Sequence, residues 1–308
     1  MRTKHFSSLL VMVFLAVGVA QGQDYDFRVL VNKGTNEVRT SGGDWSALKT
    51  GAKLSSGQEI KIAENGYVGL HHTGGQTKEL RSAGTYEIKT LASGMATGSK
   101  GITEKYADFV LSKMSPEQKE ENRRKYANVT GAVERGDDDA SINLYMPTSV
   151  SVFNQDAVIR WDEVSGGSGY QVKLKNIFEE VIMVAETGES SYQIDFTNPK
   201  IAAAAVEDLI IVSVSLKGND EVKSKDAAIE PVTKDDQPDF AKELAEVQAS
   251  LGSQESSINE LILAELYEEN GFFLDALTSY EKSVKLSPDV PFFQEAYEEF
   301  LIRNGLKK

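Results

Sequence analysis

At 308 residues the chain is long enough for two or three domains, and its 40% hydrophobic content lies above the disordered range. A formal charge of −14 with no basic stripe argues against nucleic acid and anionic membrane surfaces as partners, because nothing is placed to release their counterions. The absence of cysteine excludes disulfides, thiol nucleophiles, cysteine-held metals and a bacterial lipoprotein anchor.

The first element is a leader. Arg2, Lys4 and His5 precede an apolar run from Leu9 to Ala20, followed by Ala20-Gln21-Gly22. This order of charge, apolar run and small residues is that of a secretory signal peptide, with cleavage expected after Gly22. As helix the run spans roughly 18 Å, short of a hydrocarbon core of roughly 30 Å. No stable membrane insertion is therefore expected after cleavage; an uncleaved anchor is the other reading.

Residues 23–98 read as a small β-domain. Phe27–Val31 is rich in β-formers but alternates poorly; Glu59–Ile62, Tyr67–Leu70 and Thr85–Ile88 follow, with glycines from Gly34 to Gly84 marking the turns. Within this stretch Trp45, Leu48, Gly51, Leu54, Gly57-Gln-Glu-Ile60 and the hairpin glycines Gly74-Gly75 resemble the FecR-type periplasmic domain. Gln58 stands where that family more often has aspartate. The resemblance implies an all-β fold in the cell envelope of a Gram-negative bacterium. The family's relay to a cytoplasmic regulator is not expected to transfer, since only Met1 to His5 precede the apolar region.

Residues 99–143 change character. Tyr106, Phe109, Val110 and Met114 have helical spacing, and Ser115-Pro116 is a helix start with Ser115 as N-cap. The charged run Lys119 to Asn128 reads as a solvated helix or linker, and Arg123-Arg124-Lys125 is too short to imply nucleic acid. Gly136–Asp139 lacks the glycine and glutamate spacing of a calcium loop and reads as a turn.

Residues 144–232 carry about seven short strand patterns, the number of an immunoglobulin-like sandwich. They include Val150, Val152, Val158 to Trp161, the alternating Tyr170, Val172 and Leu174, then Val181–Val184, Tyr192–Ile194 and Leu209–Val214. The spacing from Trp161 to Tyr170-x-Val172 resembles a fibronectin type III domain, which implies Trp161 as a core residue between sheets. Ile201–Val206 is expected to form a helical turn.

A polar linker, 233–239, leads to the helical region 240–308. Phe240, Leu244, Val247 and Leu251 share one helix face. From Ser257 to Val290 two short helices fold back at Gly271 and stop at Pro288. Leu263, Ala264, Tyr267, Ala276, Tyr280 and Pro288 resemble a tetratricopeptide repeat; Glu260 and Ser283 depart from it. The same spacing also fits an ordinary helical hairpin. Phe292, Phe293, Ala296, Phe300 and Leu301 form a last helix ending at Gly305. About two repeats are too few to bury their own faces, so the tail is expected to lean on a β-domain or a partner. The expected fold class is thus multidomain: an all-β N-terminal domain, a β-sandwich middle domain and an α-helical C-terminal region.

The search for chemistry yields no catalytic, cofactor or metal residues. After the leader the histidines are His71 and His72, which alternate faces of a strand and read as an exposed pair unable to chelate one metal. There is no Gly-x-Ser-x-Gly elbow, phosphate loop or dinucleotide fingerprint. The repeat resemblance implies a binding groove lined by Leu261, Glu265, Glu268, Glu269, Glu295 and Glu299, whose glutamates would attract a basic segment of a protein partner. The same residues also fit the solvated side of amphipathic helices. The expected function is a non-enzymatic, exported cell-envelope adaptor that docks a protein partner. A periplasmic sensor contacting a receptor or envelope polymer is one alternative. Carbohydrate binding on an exposed platform of Trp45, Tyr67 and Tyr86 is another.

Overall fold

The poorly alternating run at the start of the first β-domain is a strand buried on both faces. The computed structural model describes residues 25–95, 101–133, 142–165, 169–204 and 209–307, so the leader, its cleavage point and Gly136–Asp139 lie outside the described residues. The first β-domain is built from β1 (Phe27–Lys33), β2 (Glu37–Thr40), β3 (Ser46–Ala47), β4 (Lys53–Leu54), β5 (Gln58–Ile62), β6 (Tyr67–His72), β7 (Thr77–Leu80) and β8 (Gly84–Glu87), closed by the short α1 (Ile88–Ala92). They form two antiparallel four-stranded sheets, ordered β4-β1-β6-β7 and β3-β2-β5-β8. Phe27, Val29, Ile60, Ile62, Val68 and Leu70 close the space between them.

A register shift between Val29 and Val31 breaks the two-residue period of β1. Phe27 and Val29 therefore face the inter-sheet core, while Leu30 and Val31 join a second core on the outer side. β6 keeps a regular alternation but is buried along its whole length, because both of its faces are covered. Strands such as β2 and β7, with one apolar residue in four, were too polar to be read from sequence.

That second core belongs to a helical layer. It gathers α2 (Ile102–Lys113) and α3 (Pro116–Val133) from the connector, and it also takes in the C-terminal helices. The middle β-module comes between them in sequence: β9 (Ser149–Val152), β10 (Asp156–Arg160), β11 (Tyr170–Lys175), β12 (Val181–Thr187), β13 (Ser191–Asp195), α4 (Pro199–Ala204), β14 (Ile210–Leu216), β15 (Asn219–Lys223) and β16 (Ala227–Pro231). One sheet runs β12-β11-β14-β16-β9 with β15 added to β14; β10 and β13 pair separately. All these pairings are antiparallel except β16 with β9. Trp161, 1% exposed, lies edge-on to Tyr170 in this core at 5.2 Å between ring centres.

The tail is α5 (Pro238–Leu251), α6 (Ser257–Glu269), α7 (Phe273–Leu286) and α8 (Pro291–Arg303). Ser256 caps α6 by accepting from the Asn259 N–H at 3.0 Å. Gly271, at φ 81°, makes the turn that folds α7 back on α6. Ala264 and Ala276 let the helices approach, with Tyr267 and Tyr280 filling the volume beside them. Ser283, which departs from the repeat pattern, donates its hydroxyl to the Ser257 carbonyl at 2.8 Å and so ties the end of α7 to the start of α6.

Both β-modules pack on this layer. On one side Gly69 of β6 meets Ile258 of α6; a Cβ at position 69 would overlap the Ile258 side chain. On the other, Leu274 of α7 enters the core of the middle module. The Asp275 carboxylate accepts from the N–H groups of Phe153 and Asn154, both at 2.9 Å, and Thr278 Oγ1 accepts from Val158 N–H at 3.0 Å. The expected dependence of the tail on its neighbours is thus met by both β-modules and by the connector. The charged run of α3 is a helix exposed over most of its described residues, with Asn122, 1% exposed, turned in against α8. Among the described residues no helix is long and apolar enough to cross a membrane.

Candidate functional site

The six residues marked from sequence lie on α6 and α8. Leu261, Glu265, Glu268 and Glu269 recur at three- and four-residue spacing along α6, and Glu295 and Glu299 repeat this on α8. What faces them is the chain's own connector. Lys113 at the end of α2 reaches Glu265 at 2.7 Å, Glu269 at 2.8 Å and Glu268 at 3.6 Å. Lys119 of α3 pairs with Glu295 at 2.7 Å, and the Asn122 amide donates to Glu299 at 2.8 Å. Leu261, Glu265, Glu268 and Glu299 are buried; Glu269 and Glu295 stay at the margin. The basic segment that the sequence assigned to a partner is supplied in cis.

The centre of this contact is a buried charge cluster. Arg303 Nε donates to Glu268 Oε1 at 2.6 Å, Tyr280 donates its hydroxyl to Glu265 Oε1 at 2.8 Å, and Asn304 donates to Glu268 at 2.9 Å. Two carboxylates, Glu265 and Glu268, thus share two cations, Lys113 and Arg303. A balanced, hydrogen-bonded set is the form in which buried charge is tolerated. Burial raises the Glu265 carboxyl above its usual range, with Glu268 adding to the shift and Arg303 and Lys113 opposing it. At Glu268 burial also pushes upward, but the Arg303 bonds and the nearby cations outweigh it and hold the group low. Burial and Glu265 together drive the Tyr280 hydroxyl far above its ordinary value. Lys113, Lys119, Asn122 and Arg303 were missed at the sequence level; the signal was the opposition of a basic connector run to an acidic helical face.

The histidines are buried, not exposed. His71, 2% exposed, places Nε2 3.1 Å from Thr103 Oγ1, and burial lowers it to about 4. His72 Nδ1 accepts from Gly74 N–H at 2.9 Å with its ring edge-on to Phe27. They do point to opposite faces of β6, one to the helical layer and one to the inter-sheet core. The aromatic platform does not assemble either. Tyr67 is 1% exposed within the helical-layer core, and Tyr86 packs against the inter-sheet core. Trp45 lies on the outer face of the second sheet, with the Arg39 guanidinium 4.3 Å above its ring. Among the described residues no three histidines or carboxylates are grouped to hold a metal ion.

With the acidic face closed, two open concave surfaces lie where the helical layer meets the middle module. One cleft of about 960 Å³ opens between α5, α6, α7 and the loop at 153–156. A second, of about 630 Å³, lies between β10, α7 and α8. Asp156, Thr278 and Lys282 line both. Arg160 makes a two-pronged contact with Glu281 on the floor of the second, and Tyr297 donates to the same carboxylate at 3.1 Å. Comparison with known protein families, curated proteins and solved structures gives no match.

Proposed function

We propose that the chain is a non-enzymatic, exported adaptor of a Gram-negative cell envelope. In this reading a tetratricopeptide-like helical layer is held between a FecR-like and a fibronectin type III-like β-module, and it docks a protein partner. One observation carries it: the helical layer is packed on both β-modules, so the chain presents a fixed concave surface at the joint between α7, α8 and β10. Preformed clefts between modules are the common place for recognition. The face from α6 to α8 that the repeat resemblance marks for docking is engaged by α2 and α3, so the partner is assigned to the opposite side of α7.

The test uses residues 23–308 as immobilised bait on periplasmic and outer-membrane extracts, with captured proteins identified by mass spectrometry and their binding titrated. Saturable capture of one or a few proteins is the expected result. Capture of nothing saturable from either fraction would overturn the adaptor reading. Truncation before α5 is not a usable control, because it would strip the cover from Leu30, Val31, Tyr67 and α2.

A further inference from the structure

We infer that the cleft between β10, α7 and α8 binds an acidic, extended peptide segment of the partner. This rests on the adaptor reading and names the chemistry of what is docked. The cleft's size falls in the usual range for a preformed site, roughly 300–1,000 Å³, enough for a few residues and too small for a folded domain.

Its charge is the distinguishing feature. Lys282 and Lys285 stand one turn apart on the exposed side of α7, and Lys307 follows α8 on the same cleft. None of the three makes an ion pair among the described residues, whereas Lys113, Lys119, Arg160 and Arg303 are all engaged by carboxylates. On the floor Arg160 and Glu281 cancel one another. The remaining acids are Asp156, which accepts from Gln193 at 2.8 Å, and Glu298, which accepts from Gln294 at 3.0 Å. Lys282 also feels Glu260 of α6 across the adjoining cleft, so Lys285 and Lys307 are the main source of a positive lip on a chain whose net charge is −14. A carboxylate-bearing ligand is therefore attracted to this lip.

The rest of the lining selects a peptide over a sugar. Val158, Val284 and Leu301 offer an apolar floor for side chains. Tyr145 and Tyr297 are each 9% exposed, and their hydroxyls are committed to Asp162 and Glu281, so neither presents a ring face for a pyranose.

The test is fluorescence anisotropy on the intact chain, residues 23–308. The probe is a labelled pentapeptide pool with Asp or Glu at positions 1, 3 and 5 and Leu, Val or Phe between. A second pool carries Lys in place of the acids. The acidic pool should bind about tenfold or more tighter than the lysine pool, and lose that advantage on raising salt from roughly 50 to 500 mM. The double variant K282E/K285E should weaken it by about tenfold or more while leaving the melting temperature in place, since both side chains are exposed. If that variant were to lose its fold, Lys282→Gln and Lys307→Gln separately should each weaken binding about threefold. Equal affinity for the two pools, or unchanged binding by the variants, would overturn the assignment. Envelope capture that survives K282E/K285E would leave the adaptor reading standing and this site wrong; peptide binding without any envelope capture would do the reverse.

Discussion

Replacing Lys113 by methionine separates an internal latch from an open docking groove. The Lys113 side chain is 17% exposed, and its ammonium group faces Glu265, 3% exposed at the side chain, at 2.7 Å. At an effective dielectric near 20, a pair at that distance has a gross attraction of about 6 kcal/mol, most of which offsets the several kcal/mol of desolvating both ions. Truncation removes the attraction but leaves Glu265 and Glu268 desolvated with Arg303 alone to balance them. Losses on breaking buried pairs are about 3–5 kcal/mol; since Lys113 retains some solvent and Arg303 remains, about 3 kcal/mol is expected here. Equilibrium urea unfolding of wild type and Lys113→Met would measure it. In the double variant K113M/E265Q the uncompensated charge is gone, so at least half of the loss should return, giving a coupling well above 1 kcal/mol. A single-variant loss below about 0.5 kcal/mol, or strict additivity in the double variant, would refute the buried cluster and restore the glutamates as a free acidic groove.

Three further outcomes follow from other contacts. Gly69→Val should cost about 2 kcal/mol or more by driving a side chain into Ile258; adding Ile258→Ala should recover part of it, and thermal melts of the single and double variants check this. Asp275→Ala leaves the Phe153 and Asn154 N–H groups without their acceptor and should cost about 3 kcal/mol, with faster hydrogen exchange at 153–158; unchanged exchange would count against α7 as the anchor of the middle module. The pH dependence has two opposing parts. His71 is held at about 4 in the fold against an unfolded value near 6.5, so its contribution is present above pH 6.5 and is lost as pH falls toward 4, up to about 3 kcal/mol. Asp275 is pushed up to about 6 by burial, so the folded state holds its proton more tightly and stability from this group falls as pH rises from 4 to 6. The difference in stability between wild type and His71→Gln, measured from pH 4 to 7, isolates the first part; parallel curves would contradict a buried neutral His71.

Local spacing determined much of the chain's layout. The stripe Phe240, Leu244, Val247 and Leu251, the alternation of Tyr170, Val172 and Leu174, the turn at Gly271 and the stop at Pro288 are short-range patterns, and each names its element without reference to the rest of the molecule. Helical period also sets Leu261, Glu265, Glu268 and Glu269 along one side of α6, and Glu295 and Glu299 along one side of α8. What period cannot decide is what covers a face. A row of glutamates on α6 reads the same whether it meets water, a partner or Lys113, and the ion pair that settles the matter joins residues 152 apart in sequence. Likewise Gly69 reads as a weak point in a strand until Ile258 arrives to fill the missing Cβ, and the pair His71-His72 reads as exposed until the helical layer covers His71 and the inter-sheet core takes in His72. Burial on the second face of a strand or helix comes from distant chain segments, and it was tertiary packing alone that turned an apparent docking groove into an internal contact.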